Sequence, residues 1–279
     1  MEYILNLSYG KDSMACLEAI KRLGLPLDRI VHAEIWATDT ISADLPEMVE
    51  FKKKADEIIK EHYGFTVEHI SVIENGEKLT YEKIFYSINR KKKRIYGFPF
   101  QMGAWCNSGL KVRALNYALK KPKNTLQYIG IAADEDSRII RWTREGFSLP
   151  LVEIGWTEAD CLEWCKQNSL LSPIYKNSFR GGCWFCHNQP IGQLRVLRKN
   201  YPELWKLLMK WDVDSPITFK KDGKSGKTVH DFDKRFELEE KGVVPIGTYF
   251  RWDMLSDELL TKQMTLENIF TGERRIQNE

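Results

Sequence analysis

No stretch of 18 consecutive apolar residues occurs in the 279-residue sequence, so a membrane-spanning helix is not expected. A secretory leader is not expected either. Position 2 is Glu2 rather than a basic residue, and the first apolar run stops at Leu7. Neither sign of charge dominates: 42 Lys and Arg face 39 Asp and Glu, a net +3, too small at this length to imply nucleic-acid binding by itself. There is no internal repeat, no low-complexity tract and no G-x-x-x-x-G-K-[ST] loop. With no export signal, the six cysteines (Cys16, Cys106, Cys161, Cys165, Cys183 and Cys186) read as reduced thiols, metal ligands or redox groups rather than a disulfide framework. That reading places the chain in a cytoplasm.

What is present fits a soluble α/β protein. With 43% apolar and 29% charged residues the chain can bury a full core. Its length allows one large domain, or one domain and an appendage. Tyr3–Leu7, Arg29–Ile35, Thr66–Ile70 and Leu126–Ile131 are continuously apolar rather than alternating, the pattern of strands covered on both faces. Between them the periodicity predicts helices at Ser13–Leu23, from near Asp44 to Gly64 with Pro46 in the first turn, and at Ser108–Leu119. Strands alternating with helices imply right-handed crossovers and a mostly parallel sheet with helices on both faces, whose ligands bind at the carboxyl ends of the strands. The pattern changes after Ile154. Thr157 with Asp160 resembles a capping box that starts a helix, Ser172–Gln189 is irregular, Ile191–Lys210 is helical with an interruption at Pro202, and Lys220–Lys227 reads as a hairpin or loop. The expected organisation is an α/β unit over residues 1–155 and a largely helical, cysteine-containing region over 156–279 packed on it.

The sharpest local signal is Ser8-Tyr9-Gly10-Lys11-Asp12-Ser13, between a strand and a helix, the context that makes a phosphate-binding loop credible. Gly10 allows close approach of an anion to the backbone. Amides and the positive dipole end favour negative charge, Ser8 and Ser13 offer hydroxyls, and Lys11 offers a cation. An acid beside a phosphate repels it unless a Mg²⁺ ion bridges the two, so Asp12 is assigned to positioning magnesium or the loop itself. The competing account of this segment is an ordinary strand-to-helix turn.

This hexapeptide resembles the S-G-G-x-D-S pyrophosphatase loop of PP-loop adenine nucleotide α-hydrolases. Lys before Asp-Ser is similar to the phosphoadenosine phosphosulfate (PAPS) reductase branch, which includes sulfonucleotide reductases and sulfurtransferases acting in DNA phosphorothioation. Thr38-Asp39-Thr40 with Leu45-Pro46-Glu47 resembles that family's segment after strand two. Leu110-Lys111-Val112 with Leu115 resembles its lysine-bearing helix after a cysteine, and Gly130-Ile131 with Asp134 to Arg138 resembles its arginine loop. The likeness covers about residues 1–200, with Tyr9 standing where the family commonly has Gly. It implies an adenine nucleotide α-hydrolase-like sheet, ATP or a PAPS-like nucleotide with Mg²⁺, and cleavage at the α-phosphate with pyrophosphate release, or sulfur transfer. By the same likeness, Ser8, Gly10, Lys11, Asp12 and Ser13 hold phosphates, with Lys11 and Asp12 catalytic. Asp39 lies near the nucleotide, and Lys111, Arg138 and Arg141 are anion contacts. For the two arginines a solvated helix face is the equal alternative.

Cys183-Trp184-Phe185-Cys186 follows Gly181-Gly182, and Cys106 precedes the third helix. Two thiols two residues apart on a glycine-bearing turn can grip one metal. Relatives with a [4Fe–4S] cluster carry a Cys-Cys pair where this sequence has Trp105-Cys106. That leaves three thiolates: enough for a cluster with one open iron, as in certain tRNA-thiolating relatives, or for Zn²⁺ with a fourth ligand, His187 being the local candidate. A redox dithiol and inert thiols are the remaining readings. Cys16, Cys161 and Cys165 read as core. No cysteine follows Cys186, whereas assimilatory PAPS reductases use a tail cysteine, so thioredoxin-dependent reduction is the lesser expectation. A non-catalytic nucleotide- or nucleic-acid-binding module is a third. Lys91–Arg94 and Lys120–Lys123 are basic clusters that suit nucleic acid or polyphosphate, or simply solvated helix ends. A sulfur-donor protein is a further possible partner, and Trp205 and Trp211 are expected in the core.

Overall fold

The computed structural model describes residues 1–99, 104–119, 124–176, 181–222, 225–247 and 251–252. Five parallel strands form the main sheet: β1 (Glu2–Asn6), β2 (Arg29–Ala33), β3 (Val67–Ile70), β4 (Thr125–Tyr128) and β5 (Phe147–Ser148). Their spatial order is β3-β2-β1-β4-β5. Successive strands add outward from β1 on one side and then on the other, so the order reverses between β1 and β4. In a parallel sheet that reversal opens a crevice at the carboxyl ends of the two strands.

Strand alternation decides what covers each face. Leu5, Ile30, Val67 and Tyr128 turn toward α1 (Lys11–Arg22) and α2 (Pro46–Tyr63), meeting Met14, Leu17, Ile20, Phe51, Ala55 and Ile59. Ile4 and Val31 turn the other way and pack with Ala118 of α4 (Arg113–Ala118), which also brings Ala114 to Ala33. The elements match the apolar runs closely. α2 starts at Pro46 and stops at Gly64, whose φ of 77° is the left-handed turn that glycine tolerates. The Thr157–Asp160 capping box opens α7 (Glu158–Gln167). Three short helices, α3 (Tyr81–Tyr86), α5 (Asp136–Trp142) and α6 (Pro150–Glu153), complete this part. The expected helix at Ser108–Leu119 begins instead as a π-helix, Asn107–Val112, before α4 continues it.

A second core lies beside the sheet. Tyr81, Phe85 and Phe98 meet Trp184 and Phe185 of the cysteine turn. They also meet α8 (Ile191–Asn200), α9 (Pro202–Asp214) and α10 (Val229–Glu240), with Trp205, Trp211, Phe232 and Phe236 inside. Pro202 breaks the helical run as expected. Helix α10, opened by a Thr228–Asp231 capping box, falls within the region expected to be largely helical, at a place where no particular helix is expected from the sequence. Lys220–Asp222 and Ser225–Lys227 pair as a hairpin. The cores do not divide at residue 155. Cys161, Trp164 and Cys165 of α7 belong to the first, and residues from Ala37 to Leu110 supply part of the second. Among the described residues no helix is long and apolar enough to cross a membrane.

Candidate functional site

A cavity of about 650 Å³ opens at the β1–β4 reversal, a size suited to a nucleotide-scale ligand. Ser8, Tyr9, Gly10 and Ser13 line it, with Ile129 and Gly130 after β4, Lys111 and Asn107 on the π-helix, Arg138, and Gly181, Gly182 and Cys183 of the cysteine turn. At its floor the Asn6 side-chain amide donates to Gln127 Oε1 at 2.9 Å, joining the two strands at the reversal.

The loop is shaped by its serines. Ser13 Oγ accepts from the Ser8 amide at 3.1 Å and donates to the Gly10 carbonyl at 3.0 Å. Tyr9 has φ of 57°, the left-handed region that glycine enters freely and where a side chain costs roughly 1–2 kcal/mol. Burial offsets that cost. The Tyr9 ring packs edge-on to His32 at 4.8 Å, and its hydroxyl donates to Asp56. Gly10 has extended backbone, φ −78° and ψ 156°, so its freedom to take positive φ is not used.

Below the loop lies a network of charges. His69 donates from Nδ1 to Glu34 at 2.7 Å and from Nε2 to Asp56 at 2.9 Å. Hydrogen bonds to Asp56 and then to Glu34 hold its pKa up, to about 9. His32 is the opposite case: burial, and next the Lys52 charge, push it down to about 3. It is therefore neutral, with Nδ1–H donating to the Leu7 carbonyl at 2.8 Å and Nε2 accepting from Lys52 at 2.7 Å. Lys52 also pairs with Asp44 at 2.5 Å. Both Lys52 and Asp44 reach the cavity wall.

The residues expected from sequence divide into two groups. Ser8, Gly10, Ser13, Lys111, Arg138 and Cys183 share the cavity. Lys11 and Asp12 are not part of its lining. The Lys11 ammonium turns to Asp12 at 2.7 Å and Glu158 at 2.9 Å. Burial opposes its charge, but these hydrogen bonds win and hold it above the usual lysine range. Burial also raises Asp12, against the pull of Lys11. Oxygens of Asp12, Glu135 and Glu158 come within 4.8 Å of one another. These carboxylates have the chemistry to hold Mg²⁺, which would compete with Lys11 for them. Asp39 lies outside the cavity, exposed and paired with Lys83 at 2.9 Å. Arg141 is exposed and likewise not part of the lining. Arg144 takes the place expected of it at the wall, its guanidinium 4.7 Å from the rings of both Trp142 and Phe147. Of the two basic runs, Lys91–Arg94 lies in the turn and returning strand of a short hairpin, Ile88–Asn89 paired with Arg94–Ile95, rather than ending a helix, and Lys120–Lys123 lies outside the described residues.

One contact bears directly on the loop expected to seat an anion. Tyr175, on the 3₁₀ turn Pro173–Lys176, accepts the Lys11 amide at 3.1 Å, and its hydroxyl stands 3.6 Å from where a Gly10 Cβ would be. A hydroxyl oxygen thus accepts a backbone N–H at the start of α1, the kind of donor that a phosphate oxygen is expected from the sequence to meet. Tyr175→Phe removes this internal competitor for one hydrogen bond of about 1 kcal/mol. Calorimetry is expected to show inorganic pyrophosphate binding roughly 5-fold tighter. Weaker binding would make the hydroxyl a ligand donor instead.

Cys106, Cys183 and Cys186 are free thiols gathered around one ring. Tyr81 lies 4.9 Å from Trp105, beside Cys106, and 4.2 Å from Phe185, between the other two cysteines. The turn is anchored to the loop after β2: the Trp184 amide donates to the Ala43 carbonyl and its indole to the Ser42 carbonyl, both at 2.9 Å. Burial raises Cys106 to about 11 and carries Cys183 higher still, so a metal must displace their protons. Cys16, Cys161 and Cys165 are buried in the first core.

No family model matches the chain. An uncharacterized protein of Methanocaldococcus jannaschii is 23% identical over 219 residues, which are 74% of this chain and 39% of that protein. The chain therefore spans well under half of that relative's length.

Proposed function

We propose that the chain is an enzyme of the PAPS reductase-like PP-loop group, which binds the phosphates of an adenine nucleotide against Ser8–Ser13 and acts at the α-phosphate. The observation that carries this reading is that one cavity, at the point where strand order reverses, is lined both by the serine–glycine loop and by the cysteine turn. A phosphorylated ligand seated on the loop thus extends toward Cys183, as chemistry joining nucleotide cleavage to sulfur requires. The first step is attack by an acceptor on the α-phosphorus. The bond to the bridging oxygen breaks and pyrophosphate leaves; with a sulfonucleotide the acceptor attacks sulfur instead, the S–O bond to the α-phosphate breaks, and the nucleotide leaves as its phosphate with the sulfonyl group on the acceptor.

The protein's part is electrostatic. Loop amides face the anion, while the Ser8 hydroxyl donates to Ser13 Oγ at 3.0 Å and holds the loop in shape, and Lys111, Arg138 and Arg144 supply positive charge from the wall. Arg138 is held in place by Glu135 at 2.6 Å. Lys11 and Asp12 set the charge at the first turn of α1, where Mg²⁺ on Asp12, Glu135 and Glu158 supplies further neutralisation when bound. ATP and PAPS are to be titrated with Mg²⁺ present, and pyrophosphate and sulfite release followed. Lys111→Ala and Arg144→Ala are each expected to weaken nucleotide binding about 10-fold, the loss of one charge-assisted contact, with Tm unchanged. No binding of any adenine nucleotide at millimolar concentration overturns the reading.

A further inference from the structure

Tyr81 carries an unexplained polar atom. Its side chain is 1% exposed, and its hydroxyl has no hydrogen-bond partner among the described residues. Leaving a hydroxyl unpaired in a core costs about 1–3 kcal/mol, and such groups call for an explanation. Phenylalanine would fill the same aromatic stack of Trp105, Phe185 and Trp211 without that cost. The stack therefore does not account for the oxygen.

The neighbours of that ring do. The two segments packed on it, through Trp105 at 4.9 Å and Phe185 at 4.2 Å, are those that carry Cys106 and the Cys183–Cys186 pair. None of the thiols is at hydrogen-bonding distance. The three sulfurs are also not all within 4.8 Å of one another, unlike the two groups of His, Asp and Glu that are. A single tetrahedral zinc, with Zn–S of about 2.3 Å, draws its sulfurs to roughly 3.8 Å apart. A cube of iron and sulfide puts each thiolate on a different iron, so it spreads them wider and adds acceptor sulfurs of its own.

We infer that Tyr81 is the hydrogen-bond donor to a sulfur of an iron–sulfur cluster held by Cys106, Cys183 and Cys186. This rests on the cysteine site belonging to the proposed activity. Tyr81 is a positioning residue here. It donates to a sulfur, ligates no iron, and tunes how readily the cluster accepts an electron, because hydrogen bonds to sulfur stabilise added negative charge. With three protein thiolates, the fourth iron has no cysteine among the described residues, and Cys183 faces the cavity.

The test uses the full chain, purified without oxygen or reconstituted with ferrous iron and sulfide. Wild type is expected to bind iron and sulfide with a broad absorption near 400 nm, and Cys106→Ser to lose both. Tyr81→Phe is expected to keep the iron, to show a lower midpoint potential, and to release iron to a chelator several-fold faster. The metal-free forms should respond in the opposite sense: stripped Tyr81→Phe melts above stripped wild type, because the unpaired hydroxyl is gone. A merely structural tyrosine predicts the same potential and release rate in both proteins, and that result overturns the assignment. Zinc alone, or no metal, in wild type overturns the cluster. Neither result touches nucleotide binding at the loop, which is measured separately, so the two proposals fail independently.

Discussion

Gly130→Ala is expected to lower the melting temperature by roughly 5–10 °C and to abolish the nucleotide binding proposed for the loop. A Cβ at position 130 would stand 2.5 Å from the Asp12 carbonyl oxygen and 2.6 Å from both the Asp12 carbonyl carbon and Ser13 Cα. All three are backbone atoms in the first turn of α1, so no side-chain rotation relieves the overlap. Either the loop after β4 must retreat or α1 must shift along the sheet. Overpacking of this kind costs about 1–3 kcal/mol and more where neighbours cannot yield, and in a domain of this size each kilocalorie lowers Tm by about 2–4 °C. The same displacement moves the Ser8–Ser13 amides away from the cavity, which is why binding suffers more than stability. Gly10→Ala is the control. Its Cβ would meet only Ser8 Oγ at 3.5 Å and the Tyr175 hydroxyl at 3.6 Å, ordinary contacts, so thermal melts should leave that variant close to wild type. Equal losses in the two variants would mean that the close approach of the β4 loop to α1 does not shape the site.

That contrast shows what the sequence could and could not convey. Ser8–Ser13 is a local pattern, and it announced a strand-to-helix turn correctly because every residue that forms the turn is contiguous. Gly130 was noticed only as part of a family-like segment. Its physical duty, to let two loops from adjacent strands touch backbone to backbone, depends on β1 and β4 being neighbours across 120 residues of chain. Arg144 was missed and Arg141 favoured for the same reason. Both are cations near a short helix, and only the fold shows which one meets the cavity. Asp39, read as lying near the nucleotide, is drawn off by Lys83, a pairing that no spacing rule reveals. Lys11 is subtler still. Its position in the loop was legible, but the acids that capture it include Glu158 at the start of α7, far along the chain. The Thr157–Asp160 capping box and the break at Pro202 are readable because they act within one turn. Helix α10 carries a local signal of the same kind, a Thr228–Asp231 box followed by Val229, Phe232 and Phe236 at helical spacing, and it goes unread because charged residues dominate the composition of that stretch. Tyr81 could not have been singled out at all: nothing near it in sequence marks it as a neighbour of three cysteines.

Lys52→Met is expected to cost about 3–5 kcal/mol, the range for removing one partner of a buried ion pair, and to change how stability depends on pH. The lysine is 4% exposed and reaches Asp44 at 2.5 Å, His32 at 2.7 Å and Glu34 at 3.4 Å. Methionine keeps much of the stem's packing but leaves Asp44 without this cation and Glu34 with only His69. In the wild type, Glu34 is held below the usual carboxylate range: burial raises it, but His69 and Lys52 outweigh that. Its contribution is therefore present above the ordinary glutamate pKa of about 4.3 and is lost as pH falls through the depressed value. His69 works in the other direction. Its folded pKa of about 9 lies above the unfolded value of about 6.5, so its contribution is whole below pH 6.5 and fades as pH rises through 9. Melting curves of the wild type should thus fall away on both sides of a plateau between about pH 4.3 and pH 6.5, with the alkaline decline already begun at pH 7. In Lys52→Met the acid side should change sign: lowering the pH from 7 toward 5 narrows the gap to wild type, because protonating a carboxylate that has lost its cation relieves the variant. The alkaline limb, set by His69 between Glu34 and Asp56, should remain. A variant that melts within about 1 kcal/mol of wild type at pH 7, or whose deficit grows on acidification, would show that Lys52 does not hold these carboxylates together beneath the loop.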